Sequence, residues 1–379
     1  MVVRAWKLHL QNMTRNHMTR ICTLAVSITA MLAASTQIAA AGSKANAQGL
    51  WVGGYKYFSE FQGNALLKSG TPKARLAFGS QVYNGPFSIA FDGRGDLWAV
   101  FYSINNNLPP PALEITKGDL TALASSGRAK AKLITISGGP TDQFVIPVSI
   151  DFDAEGNLWV IDDGRRVVEL LANELKKTST QTPAVSIASQ VATPSKLRFD
   201  RSNNLWVVEF PLPFDPSRPM IWRFTPSDRA VSSSSPSLIV NLPDVTIPVV
   251  DFAFDSAGNL WIAGPGPHGD EIAMVSASDL SGSGEISPSA AVTINSAAFG
   301  LLDGSGSCLG GIDFDHSGNL WASVGADNAD CSSDTQLVEF NPTQLTMGGN
   351  LDPAVIIGQN NKKTNLFIPG PLRFGPTVK

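Results

Sequence analysis

Histidine and cysteine are scarce in this chain of 379 residues, which holds four of the first and three of the second. Only His268, His316, Cys308 and Cys331 lie beyond residue 47. That leaves too few imidazoles for a His-rich zinc site, and two thiols without histidine companions make a poor one. No G-x-S-x-G elbow is present to carry a hydrolase serine. The Gly-Pro segments have no strand–loop–helix context, so they do not form a phosphate loop. Charged residues make up only 16% of the chain, and no basic run or stripe occurs after residue 47. This argues against nucleic acid and anionic membranes as partners. Helical periodicity is missing throughout. The one apolar run, Ile21–Ala34, is too short to span a bilayer comfortably, and no other follows it.

That run sits in a segment with Arg4, Lys7, Arg15, Arg20 and Lys44 but no acidic residue, and it ends in Ala45-Asn46-Ala47. Such a pattern describes a secretory signal peptide over residues 1–47, with one mature domain over 48–379. A start at Met13 or Met18 gives a more ordinary signal length, and a retained membrane anchor is the alternative. The expected location is therefore secreted or periplasmic. In that oxidising compartment Cys308 and Cys331 are expected to form a single disulfide, with two free thiols as the alternative.

What the chain has in abundance is repetition. FDGRGDLW (Phe91–Trp98), FDAEGNLW (Phe152–Trp159), FDRSNNLW (Phe199–Trp206), FDSAGNLW (Phe254–Trp261) and FDHSGNLW (Phe314–Trp321) recur about every 45–60 residues. A sixth copy is split, with LRFGP (Leu372–Pro376) as its first half and GLWVGG (Gly49–Gly54) as its second. The third residue after each Asp is Gly95, Gly156, Asn203, Gly258 or Gly318, types that tolerate positive φ at the end of a tight hairpin. The Asp opening each turn is placed to accept the N–H two residues on. Each unit also repeats a third and a fourth apolar strand, such as VVELLANEL (Val167–Leu175) and AVSIA (Ala184–Ala188). Four antiparallel strands in six units predict an all-β, six-bladed propeller, closed by pairing the terminal segments in one blade. Trp51, Trp98, Trp159, Trp206, Trp261 and Trp321 share one motif position and are expected in the core between blades.

The residue before each motif Phe reads Ala90, Asp151, Arg198, Ala253, Asp313 and Arg373 around the ring. On innermost strands these positions lie near the channel, so Asp151 is expected to pair with Arg198, and Asp313 with Arg373. Asp151-x-Asp153-x-Glu155-Gly156 mimics a calcium loop, but the same turn occurs without the acids at Arg198–Asn203, so it reads as a hairpin. The hairpins lie on one face and the variable loops on the other, where binding is expected. Polar candidates on that variable face are Asp162, Lys196, Glu209, Asp251, His268 and Asp327, with Asp163 and Asp270 beside them.

Phrases such as VDFAFDSAGNLWIAG (Val250–Gly264) and PVSIDFDAEGNLWVIDD (Pro147–Asp163) resemble the NHL-repeat and regucalcin/gluconolactonase-like propellers. That resemblance implies a divalent metal, usually Ca²⁺, in the channel mouth, held by E-G-P, P-N-G and P-D-G segments. The matching stretches here are Asn84-Gly85-Pro86, Pro147-Val148-Ser149, Pro194-Ser195-Lys196 and Pro248-Val249-Val250. They lack the carboxylates, so no metal ligand and no cofactor is identified, and Ca²⁺ or another divalent ion stays an open alternative. Similar propeller lyases use a histidine and a metal. The expectation is a monomeric propeller that binds a small molecule, glycan or protein through its variable loops. The alternative is a divergent metal-dependent lactonase, hydrolase or lyase.

Overall fold

A computed structural model of the chain describes residues 48–54, 57–74, 76–79, 83–103, 112–116, 119–120, 132–134, 147–162, 166–176, 182–188, 192–211, 219–232, 235–242, 249–266, 269–299, 308–325, 335–358 and 370–376. The expected signal segment lies outside them. Among the described residues no helix is long and apolar enough to cross a membrane.

The strands form six small antiparallel sheets arranged as blades. The chain begins with β1 (Gln48–Gly53), β2 (Tyr57–Gln62) and β3 (Leu76–Gly79). Blade 1 is β4 (Tyr83–Phe91), β5 (Leu97–Ser103), β6 (Ala112–Ile115) and β7 (Lys132–Ile134). Blade 2 is β8 (Pro147–Phe152), β9 (Leu158–Asp162), β10 (Arg166–Leu170) and β11 (Val185–Ala188). Blade 3 is β12 (Ala192–Phe199), β13 (Leu205–Pro211), β14 (Met220–Phe224) and β15 (Leu238–Asn241). Blade 4 takes β16 (Asp251–Phe254), β17 (Leu260–Gly266), β18 (Gly269–Val275) and, after a short β19 (Gly284–Ile286), β20 (Val292–Asn295). Blade 5 takes β21 (Leu309–Phe314), β22 (Leu320–Val324), β23 (Gln336–Phe340) and, after β24 (Gly349–Asn350), β25 (Val355–Ile357). The last strand, β26 (Leu372–Pro376), pairs antiparallel with β1, Leu50 opposite Phe374 and Trp51 opposite Arg373, and so completes blade 6. Innermost strands touch in succession from β4 to β26 and back to β4, which closes the ring.

The repeated phrase works as a side-chain network. In blades 2 to 5 the turn Asp accepts two backbone N–H groups through Oδ1, as Asp200 does from Ser202 and Asn204. Its Oδ2 accepts from the Asn side chain and from the indole of the motif Trp, at 2.8 Å in both cases for Asp200. The same indole bond is made by Trp159, Trp261 and Trp321. The turn closes on positive φ, including 61° at Asn203. Each indole then meets the motif Phe of the next blade, edge-on in five cases and tilted for Trp206–Phe254, from Trp51–Phe91 at 5.8 Å round to Trp321–Phe374 at 6.4 Å. The cores accordingly lie between blades: Trp159, Ile161 and Val167 of blade 2 pack with Leu197, Leu205 and Phe224 of blade 3.

Two blades lack the indole bond. The Nε1 groups of Trp51 and Trp98 are buried without a hydrogen-bond partner among the described residues. Gly375 stands where blade 6 would have its Asp, and a Cβ there would lie 2.3 Å from the Phe91 ring. In blade 1, Asp92 Oδ2 is bound instead by Arg94, at 2.8 Å.

The outer edges carry a feature with no repeat motif. β19, from the connection between the third and fourth strands of blade 4, runs parallel to β15 of blade 3. In the same way β24 of blade 5 runs parallel to β20 of blade 4, and Gly70 of blade 6 bridges Ile357 of blade 5. Each laps over its neighbour's exposed backbone edge. The connection in blade 5 also holds the six-residue helix α1 (Pro342–Met347), set by a capping box of Asn341 and Gln344.

Replacing Trp206 by Phe removes an indole bond and leaves part of Asp200 unsatisfied, whereas Trp51→Phe removes a donor that has no partner among the described residues. Urea denaturation is expected to show Trp206→Phe costing about 1–3 kcal/mol more than Trp51→Phe. Burial, with Asp315 beside it, raises the Glu339 carboxyl from 4.5 to about 7. The folded chain thus keeps a proton that the unfolded chain releases near 4.5, and this group's contribution to stability falls as pH rises from about 4.5 to 7. Thermal melts of Glu339→Gln are expected to exceed wild type at pH 8 and to match it at pH 4.5.

Candidate functional site

In blades 1 to 4 the innermost strand presents two residues toward the channel, one and three positions before the motif Phe; in blades 5 and 6 the second of these positions is Gly311 and Pro371. The outer layer of this pair ties blade to blade. Ser88 Oγ accepts Ile150 N–H, Ser149 Oγ accepts Leu197 N–H, and Asp251 Oδ2 accepts Ile312 N–H. The equivalent residue in blade 3 is Lys196, which has no lone pair to offer the next strand. β-Bulges just before this layer, between Pro147 and Ser149 and between Pro194 and Lys196, re-aim these side chains.

The second layer is the Ala-Asp-Arg series, and its partners are exchanged relative to the expectation. Arg198 does not pair with Asp151: its Nη1 meets Asp313 at 3.1 Å, while Nη2 meets Asp251 at 2.9 Å and Ile312 O at 2.7 Å. Arg373 does not pair with Asp313: its Nη2 lies 3.7 Å from Asp151, and its Nε donates to Ile89 O. Each arginine passes over the neighbouring blade, whose residue in this layer is Ala253 or Ala90, and reaches the aspartate of the second blade. A longer side chain at either alanine would stand in that path. Each aspartate also fastens the blade that follows it, since Asp151 accepts Phe199 N–H and Asp313 accepts Phe374 N–H, both at 2.9 Å. Burial pushes the Asp151 and Asp313 carboxyls up to about 6, against those backbone bonds and the pull of Arg198.

The two halves of the ring repeat Ala-Asp-Arg in this layer but differ in the residue that stands beside each arginine. Asp251 secures Arg198, but the corresponding residue beside Arg373 is Ser88, a neutral side chain. Arg198 therefore uses both terminal nitrogens, and those of Arg373 make no hydrogen bond among the described residues.

Of the expected variable-face residues, Asp162 is buried at the end of β9 and bound by Arg166 at 3.0 Å. Glu209 is buried on β13, opposite Pro194 and Met220. Asp251 belongs to the Arg198 cluster, and Asp270 accepts Cys308 N–H at 2.7 Å. Cys308 itself is buried. His268, Asp327, Asp163 and Cys331 lie outside the described residues. Lys196 is half-buried in the channel, and no hydrogen bond or ion pair holds its ammonium among the described residues. Desolvation lowers its pKa, with Arg198 two residues on adding to the effect and Asp251 opposing it.

The channel does not suit the divalent cation that the family resemblance implies. Its carboxylates are matched by Arg198 and Arg373, and Lys196 occupies a stretch where the family pattern places a ligand segment. A hard cation needs several free oxygens and no ammonium among them. A second group, Asp92, Asp96 and Glu114, brings its carboxylate oxygens within 4.8 Å of one another on the hairpin side of blade 1. Arg94 already bridges all three, at 2.8, 3.3 and 3.3 Å.

Removing Arg198 strands the buried Asp251 and the partly buried Asp313, so Arg198→Met is expected to cost about 3–5 kcal/mol in chemical denaturation. Arg373→Met, losing one bond to a carbonyl and a looser ion pair with Asp151, is expected to cost less, about 1–2 kcal/mol.

No protein-family model matches the chain, and no curated protein matches it in sequence. Solved structures do resemble it. One is a protein of unknown function from Bacteroides caccae, 12% identical, with a TM-score of 0.54, covering 87% of this chain and 99% of that one. Another is a gluconolactonase from Xanthomonas campestris described as important in glucose secondary metabolic pathways, 11% identical, with a TM-score of 0.45, covering 85% and 86%. A third is a putative gluconolactonase, 11% identical, with a TM-score of 0.43, covering 79% and 91%. At such identities the likeness is one of fold. The chain is a six-bladed β-propeller, and gluconolactonase structures stand among those it resembles.

Proposed function

We propose that this chain is an exported binding protein that takes a small anionic molecule, such as a sugar acid, into the variable-loop end of its channel. Lys196 carries the reading. Its position does a structural task in blades 1, 2 and 4, where Ser88, Ser149 and Asp251 tie the next blade. In blade 3 it holds instead a cation that no hydrogen bond or ion pair fixes among the described residues, with Asp251 as its nearby counter-charge. A half-desolvated ammonium of this kind gains most from an anionic partner. The residues around it add shape: Ser195 at the bulge donates to Val208 O, and Phe87, at the corresponding bulge of blade 1, is 40% exposed. The basic leader ending in Ala45-Asn46-Ala47 supports export, and oxidation of Cys308 with Cys331 would brace two of the variable loops. The metal-dependent lactonase alternative has the weaker support, because it needs a hard-cation site where the channel offers paired carboxylates and a lysine.

Thermal melts of the purified protein with gluconate, galacturonate and citrate test this. At least one acid is expected to raise the melting temperature, with the rise abolished in Lys196→Met and fading at alkaline pH as the ammonium deprotonates. A stoichiometric Ca²⁺ removed by EDTA, together with EDTA-sensitive hydrolysis of gluconolactone, would establish the lactonase instead.

A further inference from the structure

The opposite end of the channel holds a cavity of about 280 Å³. The turn residues Asp200 and Arg201 on its wall place it on the hairpin face, away from the variable loops and from Lys196. Its collar is formed by motif phenylalanines, Phe91, Phe199, Phe254 and Phe374, and its floor by the second charged layer of the channel.

Three properties of this floor define what would fit. The first is the loose guanidinium of Arg373. Its side chain is 14% exposed, its Nε donates to Ile89 O, and its two terminal nitrogens, which form the fork suited to a carboxylate, donate no hydrogen bond among the described residues. The second is the acidic side facing it. Asp151 stands 3.7 Å away, too far for a direct hydrogen bond, and accepts one N–H, from Phe199. Asp313 borders the same space and is 18% exposed. Asp313 is bound on Oδ1 by Arg198 and on Oδ2 by the Phe374 N–H, so Asp151 is the less satisfied of the two, and burial raises both to about 6. The third is charge balance. Three aspartates and three arginines line the cavity, so a ligand of either net charge would leave one wall unmatched.

We propose that this cavity is a binding site for a zwitterionic α-amino acid with an apolar side chain. The ligand's carboxylate would take the terminal nitrogens of Arg373, and its ammonium would lie between Asp151 and Asp313. Its side chain would rest against the phenylalanine collar. A neutral sugar gives the guanidinium only uncharged acceptors, and an amine or an acid alone satisfies one side of the floor and leaves the other bare. The pseudo-twofold of the ring explains why there is one such arginine. The counterpart, Arg198, is consumed by Asp251, while Ser88 leaves Arg373 available.

Isothermal titration of the purified protein with L-leucine and L-phenylalanine tests the assignment. The comparison ligands are isoamylamine and 4-methylvalerate, which carry one charged group each, and glucose. An amino acid is expected to bind, with both single-charge analogues and glucose weaker by on the order of 30-fold or more. Arg373→Met and Asp151→Asn are each expected to weaken binding by a similar factor with the circular dichroism unchanged, while Lys196→Met leaves it intact. Absence of amino-acid binding, equal binding of either analogue or of glucose, or affinity unaltered in folded Arg373→Met would overturn the proposal. The analogue series is read on the wild-type protein, so it decides the question even if a variant does not fold.

Discussion

An indole set against a phenyl ring, made six times, holds this ring together. The Trp belongs to the second strand of one blade and the Phe to the first strand of the next, so no blade has a complete core of its own. The aspartate that bends the hairpin also fixes the indole in four of the blades, and this couples turn geometry to the packing between blades. The Phe comes from the strand that lines the channel. Its neighbours in sequence therefore reach the axis at constant height, and the two charged layers of the channel follow from the placing of six rings.

Within that frame the two halves of the ring are nearly alike and differ where chemistry is expected. Most of the inward positions carry Ser, Ala or an Asp or Arg that is bound to a neighbouring blade. The departures are Lys196, which breaks the layer of blade-to-blade acceptors, and Arg373, which lacks the carboxylate that completes Arg198. One faces each end of the channel. Repeats make such departures conspicuous, because the other copies show what the scaffold alone requires.

Much of this was legible in the sequence, since it is local and recurrent. The hairpin, the blade count, the ring closure through Leu372–Pro376 and the position of the tryptophans all lie within one short phrase. The indole–aspartate bond was present in its fixed spacing of six residues but has no signature as a hydrogen bond. The arginine partners do not follow from the series, because each guanidinium has an aspartate on the adjacent blade and another two blades away, and it takes the second. A guanidinium on a long stem spans a narrow channel more readily than it bends back, and the small alanines of the intervening blades, visible in the same series, were the clue. The overlapping strands β19 and β24 carry no motif at all, being set by backbone pairing at an edge. Lys196 stood among the variable-face candidates, but only the roles of Ser88, Ser149 and Asp251 distinguish it from the paired Asp162 and the buried Glu209.

Closure through the split blade bears on how the molecule comes together. Gln48 lies opposite Pro376, so the first three strands have no inner neighbour until the last strand has been made. Such a pairing across nearly the whole chain is slow to form, because the entropy of closing that loop is lost before any contact repays it. The aromatic seams on both sides of blade 6, Trp321 on Phe374 and Trp51 on Phe91, depend on that final step. Closure of the ring and both of these seams therefore rest on the single pairing of β1 with β26.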